Sequence, residues 1–162
     1  MRTWFSFCFV LLLTACTTPK TLTSDSQKLS TKQWQGRISV TVQSDPPSLM
    51  SASFSLEGDA QDGALHLFSP FGTTLSTLQW RPGSSQWLQD GQQRHFDSLA
   101  HLTEKITGAV LPIEAMFDWL EGRVTPSAGW QTDLSALSSG TLVAKRLAPE
   151  PLVVLRIKLD TP

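Results

Sequence analysis

GRISVTVQSDPPSLMSASFSLE, residues 36–57, decides the fold. Ile38, Val40 and Val42 alternate with Ser39, Thr41 and Gln43; Met50, Ala52, Phe54 and Leu56 then alternate with three serines and Glu57. Successive side chains on an extended chain point to opposite faces, so a period of two predicts two antiparallel strands, each with one apolar and one wet face. Asp45-Pro46-Pro47-Ser48 reads as the loop between them.

The pattern continues downstream. ALHLF (64–68), TTLSTLQW (73–80), QWLQ (86–89) and QQRHF (92–96) are further strands, punctuated by turns at 58–63, Pro82-Gly83 and Asp90-Gly91. This is a meander of about six strands with short connections. Ser69-Pro70-Phe71-Gly72 is a tight turn, with Pro setting φ at its second position and Gly closing it. Its third position holds Phe71, a large apolar ring at a hairpin tip, which either projects into solvent or folds back as a core plug.

The middle of the chain changes period. Asp97 can cap a helix carrying Leu99, Leu102 and Ile106 on one side and ending at Gly108. Pro112 then suits a first helical position, followed by the stripe Ile113, Met116, Phe117, Leu120 and a stop at Gly122. After a loop containing Pro and Gly, strands return as TLVAKRL (141–147) and LVVLRIKL (152–159), with Pro149 and Pro151 bracketing the turn between them. The expected fold is mainly β with short helices (α+β): a strongly curved antiparallel sheet, or incomplete barrel, with helices against its concave face.

The first fifteen residues stand apart. Met1 and Arg2 precede an apolar stretch from Trp4 to Leu13 that is too short to span a bilayer, and Ala15 is small; residues 1–15 read as a cleaved signal peptide. Leu13-Thr14-Ala15-Cys16 resembles the bacterial lipobox, which implies lipidation of Cys16. Several acyl chains on one residue would hold the protein on a membrane, where a single chain binds only marginally. The sequence has two cysteines and Cys8 lies in the leader, so no disulfide is expected. Residues 16–33, rich in Thr, Ser and Lys, read as the lipidated Cys and a tether, and 34–162 as one domain.

With 13 basic and 14 acidic residues and no basic run, nucleic acid is not an expected partner, and membrane contact must rest on lipid and apolar side chains. The three histidines, His66, His95 and His101, lack metal-ligand spacing, and no nucleophile elbow, free thiol or phosphate loop is present. Glu104 and Glu114 lie on different helices. Nothing here points to catalysis, metal or cofactor; the residues read as a binding protein.

Several stretches together resemble the LolB family of outer-membrane lipoproteins. They are LTAC, the Trp34-x-Gly36-Arg37-Ile38-Ser39-Val40 entry, SPFG, LTEKITGAVLPIEAMFDWLEG (102–122) and LRIKLD (155–160), in family order. The resemblance implies an unclosed β-barrel with a helical lid over an apolar cavity for acyl chains. It also implies a monomer that accepts lipoprotein cargo from the periplasmic carrier LolA and inserts it into outer-membrane phospholipid, with no nucleotide and no catalytic residue. In that family the matching turn carries an exposed leucine assigned to membrane entry, so Pro70, Phe71 and Gly72 become the delivery turn. Thr17 lacks the acidic character of inner-membrane retention, which favours the periplasmic face of the outer membrane.

Candidate cavity residues are Ile38, Val40, Val42, Ala52, Phe54, Leu56, Leu65 and Leu67 from the strands. Leu102, Ile106, Ile113, Met116 and Phe117 are the candidates from the helices, with Trp119 and Trp130 placed at the mouth. For each, ordinary core packing is the alternative. At the level of function the alternatives are a lipocalin-like lipoprotein holding a free fatty acid or other small apolar ligand, a structural envelope lipoprotein with a filled core, and, remotely, an enzyme of lipid or peptidoglycan metabolism. A storage protein has no need of an apolar turn tip.

Overall fold

The computed structural model describes residues 32–160. The leader, Cys16 and the rest of the tether before Lys32 lie outside the described residues.

Nine strands form one antiparallel sheet: β1 (Gln33–Val42), β2 (Ser48–Gly58), β3 (Gly63–Phe68), β4 (Thr74–Arg81), β5 (Ser84–Gln89), β6 (Gln92–Phe96), β7 (Trp130–Asp133), β8 (Thr141–Arg146) and β9 (Val153–Leu159). Their order across the sheet is β6-β5-β4-β3-β2-β1-β9-β8-β7. Neighbours in space are neighbours in sequence except at the centre, where β1 pairs with β9. Among the described residues no strand joins β6 to β7, so the sheet curls without closing.

That order dictates where the helices go. The chain leaves one edge at Phe96 and must reach the other edge at Trp130, and it crosses as α1 (Leu99–Thr107) and α2 (Ile113–Leu120). Packing these over the inner face buries what the alternation made apolar. Ile38, Val40, Val42, Phe54, Leu56, Leu65, Leu67, Leu142, Leu155 and Ile157 from the sheet join Leu102, Ile113, Met116, Phe117 and Trp119 in one hydrophobic cluster. Burying apolar surface at about 25 cal/mol per Å² makes this crossing the source of the helices' stability. Helices of eight and nine residues are too short to persist alone.

The expectation of six meander strands and two closing ones is met within two residues at each end, except that β1 starts at Gln33, three residues before the expected strand and one before the expected domain start. Three details differ. Ser98, not Asp97, caps α1: its Oγ accepts the His101 N–H at 3.1 Å, because Ser98 is the residue held extended at φ −153°. Pro112 precedes α2 as its cap residue, with ψ 71° outside the helical range, so the first helical residue is Ile113. A four-residue strand, β7, stands inside the stretch expected to be loop, paired to β8 from Trp130–Arg146 to Asp133–Val143. Gly108 (φ 79°) and Gly122 (φ 80°) terminate the helices as expected, in the left-handed conformation glycine tolerates best.

Candidate functional site

A meander sends alternate turns to opposite ends of the sheet. One end carries Lys32, the β2–β3 turn (59–62) and the β4–β5 turn (82–83); the other carries the β1–β2 loop (43–47), the β3–β4 turn (69–73), the β5–β6 turn (90–91) and the β8–β9 loop (147–152). A cleft of about 1480 Å³ opens at the first end, and Phe71 stands at the second.

The cleft lies between the β2–β3 turn, the ends of β2 and β4, the start of α1, the apolar side of α2 and residues 123–127. Its floor is apolar: Trp80, Leu111, Ile113 and Phe117 line it, and each is buried. Phe117 fixes α2 to the sheet, its ring meeting Trp34 edge-on at 5.5 Å and Trp80 at 6.2 Å between centroids. The Trp80 indole N–H donates to the Asp59 carbonyl at 3.0 Å, which ties the β2–β3 turn to the floor. Gly63 makes room for that ring: a Cβ there would stand 2.5 Å from Trp80 Cζ2.

The rim is charged, with Glu57, Asp59, Asp62, Glu114, Asp118 and Glu121 against Lys32, Arg81 and Arg123. One network crosses it. Arg123 pairs with both Asp118 and Glu121, Glu121 also receives Lys32, and the Thr125 hydroxyl donates to Asp118 at 2.6 Å. The Thr125 hydroxyl and the Arg123 guanidinium hold the Asp118 carboxyl below its ordinary value; Lys32 and Arg123 do the same for Glu121. Backbone N–H groups of Asp62 and Gln61 lower Asp59. The network clasps the end of α2 to the start of β1.

The candidate cavity residues divide. Ile113 and Phe117 reach the cleft. Ile38, Val40, Val42, Ala52, Phe54, Leu56, Leu65, Leu67, Leu102 and Met116 lie beneath it in the packed core, and Ile106 packs half-buried against them. Trp119 is fully buried with its N–H on the Thr125 carbonyl at 2.9 Å, away from the lining. Trp80 and Leu111 were missed from the sequence, although the alternation of TLQW puts Trp80 on the apolar face. The polar rim gave no signal, because isolated Asp and Glu residues are ordinary turn chemistry.

At the opposite end, Phe71 is 94% exposed. The turn is locked without the ring: Gly72 N–H donates to the Ser69 carbonyl at 2.9 Å, Ser69 N–H to the Thr73 carbonyl at 2.8 Å, and the Phe71 and Thr73 N–H groups to Ser69 Oγ at 3.3 and 3.2 Å. Gly72 takes the one left-handed position at φ 81°, so Phe71 occupies its place at no backbone cost. The ring contributes nothing to the core.

Among the described residues no group of three or more His, Cys, Asp or Glu side chains could hold a metal, and no helix is long and apolar enough to cross a membrane. His66 bonds the Thr77 hydroxyl at 3.1 Å on the wet face of the sheet.

The profile of the family described as Outer membrane lipoprotein LolB matches residues 32–146, from Lys32 at the cleft rim through β8. The chain belongs to the LolB family. Its likeness to the outer-membrane lipoprotein LolB of Bordetella petrii is 25% identity, covering 100% of this chain and 94% of the relative. The Cupriavidus necator protein of the same name is 32% identical over 75% of this chain and 64% of its own length. The Shewanella denitrificans protein is 28% identical over 78% and 60%. The chain thus spans nearly all of the first relative and about three fifths of the other two. The open sheet and its two crossing helices are the fold expected from the resemblance to the LolB family.

Proposed function

We propose that this LolB-family chain accepts lipoproteins from the periplasmic carrier LolA, shelters their acyl chains between α2 and the open sheet, and inserts them into the inner leaflet of the outer membrane. The observation that carries this reading is the apolar lining of the cleft, where Trp80 of the sheet faces Leu111 and, from the eight-residue α2, Ile113 and Phe117. A short helix held by packing and by the rim's charged clasp can lift as a unit and open the cleft into the core below. The chemistry is transfer without bond breaking or nucleotide. Hydrocarbon gains about 0.8 kcal/mol per buried methylene, so cargo moves downhill if the cleft holds it better than the carrier and less well than the bilayer. Lipidation of Cys16 would keep that bilayer within reach, on the periplasmic side, and Phe71 would enter it.

The test uses the chain beginning after Cys16, mixed with a labelled lipoprotein on purified LolA. Label moving to this protein without nucleotide supports the reading. Label that stays on LolA at every ratio contradicts it.

A further inference from the structure

Of six large exposed apolar side chains among the described residues, Val110 lies between the helices and Val124 beside the cleft, and the other four gather at one end. Leu49 (70% exposed), Phe71, Leu75 and Leu147 all belong to turns or strand ends on the side of the sheet away from the cleft. The wet face of the sheet is also graded along its strands. On β2 it reads Leu49, Ser51, Ser53, Ser55, Glu57 from that end towards the cleft. On β4, Leu75 sits at the bulge where the β3 register slips between Leu67 and Phe68, and Thr77, Gln79 and Arg81 follow. Apolar, hydroxyl, then charged is the order met on leaving a membrane surface for water. Beyond the Ser53–Phe68 pair, the antiparallel path carries the Phe71 turn alongside the leading part of β2, where Leu49 stands.

We infer that this whole end, and not Phe71 alone, is a bilayer-facing surface, with Leu49 a second insertion point beside Phe71 and Leu147 a further contact at the β8–β9 loop. The inference rests on the proposed delivery role of Phe71. A phospholipid surface is the occupant for two reasons. The cleft rim has six carboxylates against three cations and is repelled by anionic headgroups more strongly than this end, where Asp45, Asp90 and Glu150 in the loops are offset by Arg94 and Lys145 on the adjoining strand ends. Residues 16–31 join the domain at Lys32, at the cleft end, and can extend to about 55 Å. That exceeds the length of β1, about 33 Å, so a chain anchored at Cys16 can turn this end to the membrane.

The test places an environment-sensitive fluorophore on the full chain through Leu49→Cys, Phe71→Cys, Leu147→Cys or, as a control at the cleft end, Gln61→Cys, with vesicles of phosphatidylethanolamine and phosphatidylglycerol carrying spin-labelled acyl chains. Quenching at 49, 71 and 147 but not at 61 is the expected result, and Leu49→Ser should weaken vesicle binding of the unanchored chain by about tenfold. Quenching at 71 with 49 behaving like 61 overturns the inference and leaves the delivery turn standing. Absence of quenching at 71 overturns both.

Discussion

Lys32 and Phe71 stand at opposite ends of one sheet. Lys32 precedes β1 at the cleft rim, bonded to Glu121 of the clasp, while Phe71 tips the hairpin that points the other way. A chain anchored through Cys16 would therefore enter the domain at the end opposite the one proposed to insert. Deleting residues 19–28 would leave a reach of about 20 Å between Cys16 and Lys32, shorter than β1. The membrane-anchored deletion should fold yet fail to deliver cargo to vesicles, and the same deletion without the anchor should deliver normally. Equal delivery by both would show that tether length plays no part.

Phe71→Glu should leave the thermal midpoint unchanged, because the ring touches no core and the turn is bonded through Ser69 and Gly72. Delivery to vesicles should fall at least about tenfold, from the loss of a side chain worth about 1.5–3 kcal/mol in lipid. Phe71→Leu should keep most of it. A melt shifted by Phe71→Glu would mean that the ring packs on the sheet.

Gly63→Ala tests the cleft floor. Its Cβ would meet Trp80 Cζ2 at 2.5 Å and the Glu57 carbonyl at 2.7 Å, so Trp80 must move. Overpacking of this kind costs about 1–3 kcal/mol. The urea midpoint should drop, and binding of a fluorescent fatty-acyl probe should change with it. At Gly72 a Cβ meets nothing within 4 Å, and Gly72→Ala should show only the backbone cost of a left-handed φ, about 1–2 kcal/mol, with probe binding intact.

Much of this was legible because alternation is a local signal. Burial of Ile38, Val40 and Val42, and of Ala52, Phe54 and Leu56, follows from a period of two, and the apolar stripes of 99–106 and 113–120 follow from helical spacing. β7 was not legible: WQTD is four residues with no apolar run, and it becomes a strand only because β8 offers an edge. The cleft was not legible either. Its rim gathers residues from 32, 57–62, 79–81, 114–121 and 123–127, brought together by the order of the strands and not by any spacing. Leu49 falls on the serine face of β2, where periodicity alone predicts a polar residue.

The clasp gives a pH dependence. Asp118 and Glu121 are held below their ordinary values of 3.8 and 4.5. A carboxyl depressed in the folded state stabilises it above the unfolded value, and that contribution is lost as acid protonates the group. The clasp is complete at neutral pH and opens as the pH falls below those values. Urea midpoints measured between pH 6 and pH 3 should decline less steeply for Glu121→Gln than for the parent chain. High salt should shrink the difference, since the pairs are exposed. Parallel declines at low salt would remove the clasp from the account.

The central claim is that acyl chains pass through the apolar cleft between α2 and the sheet. The most direct measurement puts a photo-crosslinking residue at Ile113 or Phe117, with Ser53 on the wet face as control, and illuminates the protein during transfer from LolA. The account predicts adducts to the lipid-modified end of the cargo at 113 and 117, none at 53, and their loss once vesicles are added. Adducts absent from 113 and 117 while cargo still transfers would contradict it.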